Sequence, residues 1–234
     1  MTDPNRTHIT AVLDRSGSMD SLTSNTIGGF NRFLADQKAA PGDATLTLVL
    51  FDGAYELPYN TRNIRDIPDL TDKVYYARGM TALYDALGKA IIDTGKTLSE
   101  TPEDQRPGTV IILVMTDGQE NSSIEFRGEV GRLRVQQMVK TQTETYNWNF
   151  IFMGANIDSK AVGASLGVSA ERSLTYIANS AGTEAAYETM SSGTKGLREH
   201  TRTKGAYGTT KFVEDPDAII GGPVLNNTKI SGTP

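Results

Sequence analysis

Two apolar runs constrain this chain more than anything else in it. Ile9–Leu13 and Val110–Met115 show no strict alternation of apolar and polar residues, and the second is apolar throughout. A strand of that kind is buried on both faces, as parallel strands covered by helices are. Each run ends close to a carboxylate, Asp14 directly and Asp117 one residue after Thr116. The two strands are therefore expected at the centre of a sheet, with both aspartates at their carboxyl ends.

The rest of the chain supplies the helices such a sheet requires. From Met19 to about Lys38, apolar residues at Leu22, Ile27, Phe30, Phe33 and Leu34 recur at helical spacing, and Pro41-Gly42-Asp43 stops them. Residues 45–51 read as a second strand, and Asp52-Gly53 as a hairpin turn into an antiparallel third near Ala54–Tyr59. Residues 60–78 read as an irregular loop. Ala82–Leu98 carries one apolar stripe, with Thr81 at the position of an N-cap. A helix is expected over Phe126–Thr143, with Phe126, Val130, Leu133 and Met138 inward, then a strand at Asn147–Met153. A short helix near Ser159–Ser165 and an edge strand at Ser173–Ile177 follow. Asn179 or Ser180 caps a last helix over Ala181–Ser192. His8, opening the first strand, reads as a solvated histidine.

Beyond Gly196 this pattern fades. Residues 1–196 read as one domain and 197–234 as a C-terminal tail, disordered in isolation or ordered by a partner. Arg198, Arg202, Lys204 and Lys211 make the first part of that tail basic. Strands alternating with helices imply an α/β fold, doubly wound and mostly parallel, with helices on both faces.

Composition excludes several kinds of chemistry. The chain has 234 residues, a formal net charge of −5 and no cysteine. Disulfides, zinc thiolates and a cysteine nucleophile are ruled out. The acidic balance argues against nucleic acid as a partner, the basic residues 198–211 notwithstanding. No apolar run reaches the roughly 20 residues of a membrane span, and Met1–Arg6 lacks the apolar core of a signal peptide. The expectation is a soluble, cytoplasmic protein.

In open α/β sheets, ligands bind at the carboxyl ends of the strands, where strand order reverses. Asp14 and Asp117 would face each other there, with Ser16 and Ser18 in the turn after the first strand and Thr81 in the intervening loop. Two carboxylates about 4 Å apart repel by about 4 kcal/mol at an effective dielectric of about 20. A shared proton relieves that repulsion, and so does a bound cation. Three hydroxyls nearby favour the cation, as hard neutral oxygens suited to Mg²⁺ or Ca²⁺. The competing view is that these polar residues merely cap helices and end strands.

Asp14-Arg15-Ser16-Gly17-Ser18, Thr81 in Gly79-Met80-Thr81, and Asp117 in Thr116-Asp117-Gly118 together resemble the metal-ion-dependent adhesion site of von Willebrand factor type A domains. The similarity in element order covers roughly residues 6–195. It implies six strands in the order 3-2-1-4-5-6 with one antiparallel edge strand. It implies that Ser16 and Ser18 coordinate the metal directly, and Asp14, Thr81 and Asp117 directly or through water. Mg²⁺ is the expected ion, with Mn²⁺ or Ca²⁺ possible. The implied partner is another protein that presents Asp or Glu to the metal, and no membrane. The polar segments Asn60–Arg78 and Gln119–Ile124 form the expected rim.

This reading makes the chain a binding module and not an enzyme. The alternative is Mg²⁺-dependent phosphoryl transfer with Asp14 as nucleophile. It is weakened by Ser16, where haloacid-dehalogenase-like phosphatases usually carry a second aspartate. Neither of the 2 histidines sits in a motif, which leaves a Ser-His-Asp hydrolase without support.

Overall fold

The computed structural model describes residues 1–205 together with Phe212, Ile219 and Ile220. Its strands are β1 (Asp3–Asp14), β2 (Asp43–Phe51), β3 (Tyr55–Asn63), β4 (Pro107–Thr116), β5 (Asn149–Ala155) and β6 (Ser173–Tyr176). Its helices are α1 (Thr23–Ala39), α2 (Leu83–Glu100), α3 (Gly128–Tyr146), α4 (Ser159–Ser165) and α5 (Ser180–Lys204). The strands form a single six-stranded sheet in the order β3-β2-β1-β4-β5-β6. Only β3 is antiparallel to its neighbour, as the hairpin signal at Asp52-Gly53 requires.

β1 and β4 lie side by side at the centre and pair in parallel. Their apolar runs divide by alternate positions between two cores. Ile111, Leu113 and Met115 face a core that includes Phe30 and Phe33 of α1 and Ala186 and Met190 of α5. Val110, Ile112 and Val114 face a second core with Leu83 and Leu87 of α2 and Val135 and Val139 of α3. The absence of alternation in the sequence is the mark of this two-sided burial. Among the described residues, no helix is long and apolar enough to cross a membrane.

Four expectations need correcting. α3 turns a different face inward: Gly131, Val135 and Val139 are buried, whereas Val130 and Leu133 are exposed. Phe126 is buried ahead of the helix, so a helical wheel started there has the wrong phase. His8 is buried rather than solvated, between the hydroxyls of Thr45 (2.9 Å) and Thr10 (3.1 Å). The last helix continues to Lys204, past the point where the pattern fades. Its Arg198 is buried, donating to the Gln37 carbonyl at 2.8 Å and the Pro41 carbonyl at 3.2 Å. The polar letters that looked like a solvated tail are partners for the end of α1. Finally, β3 carries Asn60–Asn63 away from the carboxyl ends of the parallel strands, since Asn63 pairs with Thr45 while Tyr55 pairs with Phe51. That part of the expected rim lies at the other end of the sheet. The expected tail's remaining residues, including Lys211, lie outside those described.

A candidate metal centre at the carboxyl ends of β1 and β4

Asp14 ends β1 with no exposed surface. Its carboxylate is fixed on both sides. The Ser16 amide donates to Oδ1 at 2.7 Å, and the Thr116 hydroxyl, from the end of β4, donates to Oδ2 at 2.5 Å. The chain then turns so that the Ser16 and Ser18 hydroxyls lie 3.1 Å apart. Ser18 donates to Asp117 Oδ1 at 2.6 Å. Four of the five residues singled out in the sequence thus form one continuous hydrogen-bonded arc across the central strands.

Thr81, expected from sequence at the N-cap of α2, lies one residue ahead of the actual N-cap, Ala82, and stands beside the arc. Its amide donates to Asn121 Oδ1 at 2.8 Å, and its carbonyl accepts from the Asn121 amide at 2.9 Å. Its hydroxyl has no hydrogen-bond partner among the described residues, although the residue is only 3% exposed. Gly118 packs against it. A Cβ on Gly118 would come within 2.8 Å of Thr81 Oγ1 and 3.6 Å of Ser18 Oγ. The glycine therefore lets the Thr81 and Ser18 hydroxyls approach the same space.

Capping does not account for these residues. Ser16 stands at the N-cap of the short 3₁₀ turn Gly17–Leu22 without a side-chain cap bond. The N-cap of α1 is Leu22 and that of α2 is Ala82, neither with a side-chain cap bond. The α2 terminus is served instead by Glu120, which accepts from the Tyr84 amide at 3.0 Å. The Ser16 and Ser18 hydroxyls are left facing one another.

The electrostatics are those of a site short of positive charge. Burial pushes the Asp14 carboxyl up from an ordinary 3.8 to about 6; the hydrogen bonds from Thr116 and Ser16 pull the other way, and nearby Asp117 raises it further. Asp117 is raised too, chiefly by burial, against the Ser18 hydrogen bond. Arg15, although it lies between Asp14 and Ser16 in sequence, turns away to Asp52 at 3.1 Å. Among the described residues no three His, Cys, Asp or Glu gather in a metal-binding group. A cation here would draw on two carboxylates and three hydroxyls, a hard oxygen set suited to Mg²⁺, Mn²⁺ or Ca²⁺.

Several supporting residues were not assigned roles from sequence. Thr116 precedes Asp117, and its hydroxyl holds Asp14. Tyr75 is fully buried and donates to the Asp14 carbonyl at 2.6 Å. Asp52 accepts from Arg15 at 3.1 Å and from Arg78 at 2.6 Å, while the Arg78 amide bonds the Arg15 carbonyl at 2.8 Å. This clamp ties the loop before Thr81 to the turn after β1. Arg15, the one charged residue set between Asp14 and Ser16, was the available signal.

A doubly wound α/β sheet with oxygen-bearing side chains at the ends of its two central strands is the class of fold in which ligands bind at the switch point. The von Willebrand factor type A domain profile matches residues 8–202. The chain belongs to that family. Comparison with curated proteins finds no match. Among solved structures, proximal thread matrix protein 1 from the mussel byssus superposes with a TM-score of 0.58 at 17% identity, covering 81% of this chain and 46% of that one. A von Willebrand factor type A structure from Catenulispora acidiphila gives 0.52 at 14% identity, covering 82% of this chain and 43% of that one. The chain thus spans a little under half the length of these two structures. Likeness at such identity shows a shared fold, and function has to be argued from the site.

Proposed function

We propose that this chain is a divalent-metal-dependent protein-binding module. Asp14, Ser16, Ser18, Thr81 and Asp117 would hold the ion, and a partner's Asp or Glu would complete its shell. One observation carries the reading: the arc Asp14–Ser16–Ser18–Asp117 runs across the ends of β1 and β4, and the Thr81 and Ser18 hydroxyls both border Gly118. A bound divalent ion would supply the missing positive charge and leave positions open to an outside carboxylate. Asp14 is held in a single rotamer by Thr116 and the Ser16 amide, so little side-chain entropy remains to be lost on binding. Asp117 is only partly buried and stands at the mouth. Membership of the von Willebrand factor type A family supports an interaction role.

The phosphoryl-transfer alternative asks Asp14 to attack a substrate. Its carboxylate is fully buried, and both oxygens accept hydrogen bonds. Nothing in that geometry favours a nucleophile.

Isothermal calorimetry with Mg²⁺ and Mn²⁺ tests the reading. Wild type is expected to give a saturable heat that Asp117→Ala abolishes. No heat from wild type, or equal heat from both, would overturn it.

A further inference from the structure

The β6 edge of the sheet is met by a piece of chain from beyond α5. β6 is four residues long and pairs with β5 on one side. The other side of such a strand presents amides and carbonyls that pair with any extended chain laid beside them. Ile220 takes that place. Its amide donates to the Thr175 carbonyl at 2.9 Å, and its carbonyl accepts from the Ile177 amide at 3.1 Å. The bridge it makes with Tyr176 is parallel. α5 is thus the crossover between β6 and Ile220, as α1 is between β1 and β2. Ile220 packs against the core that contains Leu174 and Tyr176, whereas Ile219 is exposed. That alternation is the mark of a strand.

A second anchor lies on α5 itself. Gly193 is buried in the interior of that helix, where glycine is a poor helix former. A Cβ there would come within 2.5 Å of the Phe212 ring. The ring therefore fills the space that any other residue at 193 would need, and Phe212 is only 5% exposed. Phe212 belongs to the same core as Ile220's neighbours Leu174 and Tyr176.

The two contacts differ in what they recognise. Main-chain pairing at Ile220 recognises an extended backbone, and the hollow at Gly193 recognises an aromatic ring. Pairing for affinity and a pocket for specificity are the parts of a strand-addition site. Neither contact needs the covalent link through α5. The link only raises the local concentration of the segment.

We propose that the β6 edge and the Gly193 hollow form a strand-docking site, and that this chain's own segment, through Phe212 and Ile220, occupies and masks it. A separate chain bearing the same two residues in extended form fits the site once the resident segment is released.

The test uses a labelled peptide of residues 208–224 and the full chain in EDTA, so that the proposed metal centre plays no part. Phe212→Ala with Ile220→Pro in the full chain removes the ring and the amide that donates to Thr175. The peptide is expected to bind this variant at least about tenfold tighter than wild type, where the tethered segment competes at high effective concentration. A peptide carrying Phe212→Ala is expected to bind the variant about tenfold more weakly, the scale of burying one aromatic side chain. Hydrogen exchange at the Ile177 amide is expected to be slow in wild type, fast in the variant and slow again with peptide. Gly193→Leu evicts the ring without leaving a cavity. In the full chain it is expected to free the Ile177 amide, and the peptide is expected not to restore protection. The proposal is overturned if the Ile177 amide exchanges equally fast in wild type and in the variant, or stays protected in Gly193→Leu. It is overturned if the peptide binds neither protein or both alike, or binds the variant equally well without its Phe. Light scattering that shows wild type as a dimer, dissociated by Gly193→Leu, would place the segment of a second copy at the edge and overturn masking within one chain.

Discussion

The Ser18 hydroxyl donates to Asp117 Oδ1 at 2.6 Å, across 99 positions of chain. A hydroxyl that gives its proton to Asp117 still has lone pairs to offer an ion. The same bond keeps the end of β4 in register with the turn after β1 when no ion is bound. Ser18→Ala should therefore weaken Mg²⁺ binding and also loosen Asp117. Calorimetry should show about tenfold weaker binding, the scale of one lost polar contact to a charged group. The melting temperature should stay within a few degrees of wild type, because Ser18 is exposed.

Asp14→Asn and Asp117→Asn should each abolish the metal heat with the fold intact. An Asn keeps an acceptor for the Ser16 amide and can donate to Thr116, so the buried bonds around position 14 survive. What is lost is charge. Thr81→Ala removes a neutral oxygen and should weaken binding less than either change. Circular dichroism establishes the fold and calorimetry the ranking. A Thr81→Ala loss equal to that of Asp117→Asn would reverse the assigned order of importance.

Acid should act on the metal-free protein through two buried groups of opposite sign. Burial lowers His8 from 6.5 to about 4. The unfolded chain therefore binds the extra proton in that window, and stability present above 6.5 is lost as pH falls towards 4. Asp14 is raised from 3.8 to about 6. Its folded form holds the extra proton, so its contribution is full below 3.8 and is lost as pH rises through 6. Each shift corresponds to about 3 kcal/mol, so the two nearly offset each other. Urea unfolding in EDTA across this window should separate them. Asp14→Asn should steepen the loss in acid, and His8→Gln should replace it with a gain. Parallel curves for wild type and both variants would refute the assignment.

The raised Asp14 also predicts how metal binding depends on pH. An ion needs the carboxylate form, so protonation competes with it. With Asp14 at about 6 in the metal-free state, affinity should be about tenfold weaker near pH 5 than at neutrality. Calorimetry in buffers of different ionisation enthalpy should show proton release near pH 6. Binding that is flat over this range would mean that Asp14 is already ionised without metal.

Much of this was legible in the sequence because burial on both faces leaves a plain mark. Ile9–Leu13 and Val110–Met115 could be placed at the centre from composition alone, and Asp14 and Asp117 followed at their ends. The hairpin at Asp52-Gly53 was legible from its turn residues. The full strand order came from family resemblance, since local periodicity carries no information on which edge a strand joins. Buried polar residues were not legible. His8 and Arg198 are stabilised by Thr45 and by Gln37 and Pro41, contacts far apart in the chain. The inward face of α3 was hidden by a glycine. Gly131 is buried, and only glycine fits there, since a Cβ would meet the Phe126 backbone carbonyl carbon at 1.9 Å. A hydrophobicity pattern does not count a glycine as core.

The most selective prediction concerns Gly118. It lies in the loop after β4, and its φ is not in the left-handed region, so alanine costs no backbone strain. The cost is confined to the site. The added Cβ would stand 2.8 Å from Thr81 Oγ1, closer than a real contact allows, and 3.6 Å from Ser18 Oγ. Thr81 cannot retreat freely, because both its amide and its carbonyl are bonded to Asn121. Its side chain must rotate, or the Asn121 clasp must stretch, and either movement takes its oxygen from the shared space. Gly118→Ala should therefore weaken Mg²⁺ binding as much as Thr81→Ala, with little change in melting temperature. In the double variant the two losses should not add, since both remove the same oxygen. Additive losses in calorimetry would show that Gly118 acts on something other than Thr81.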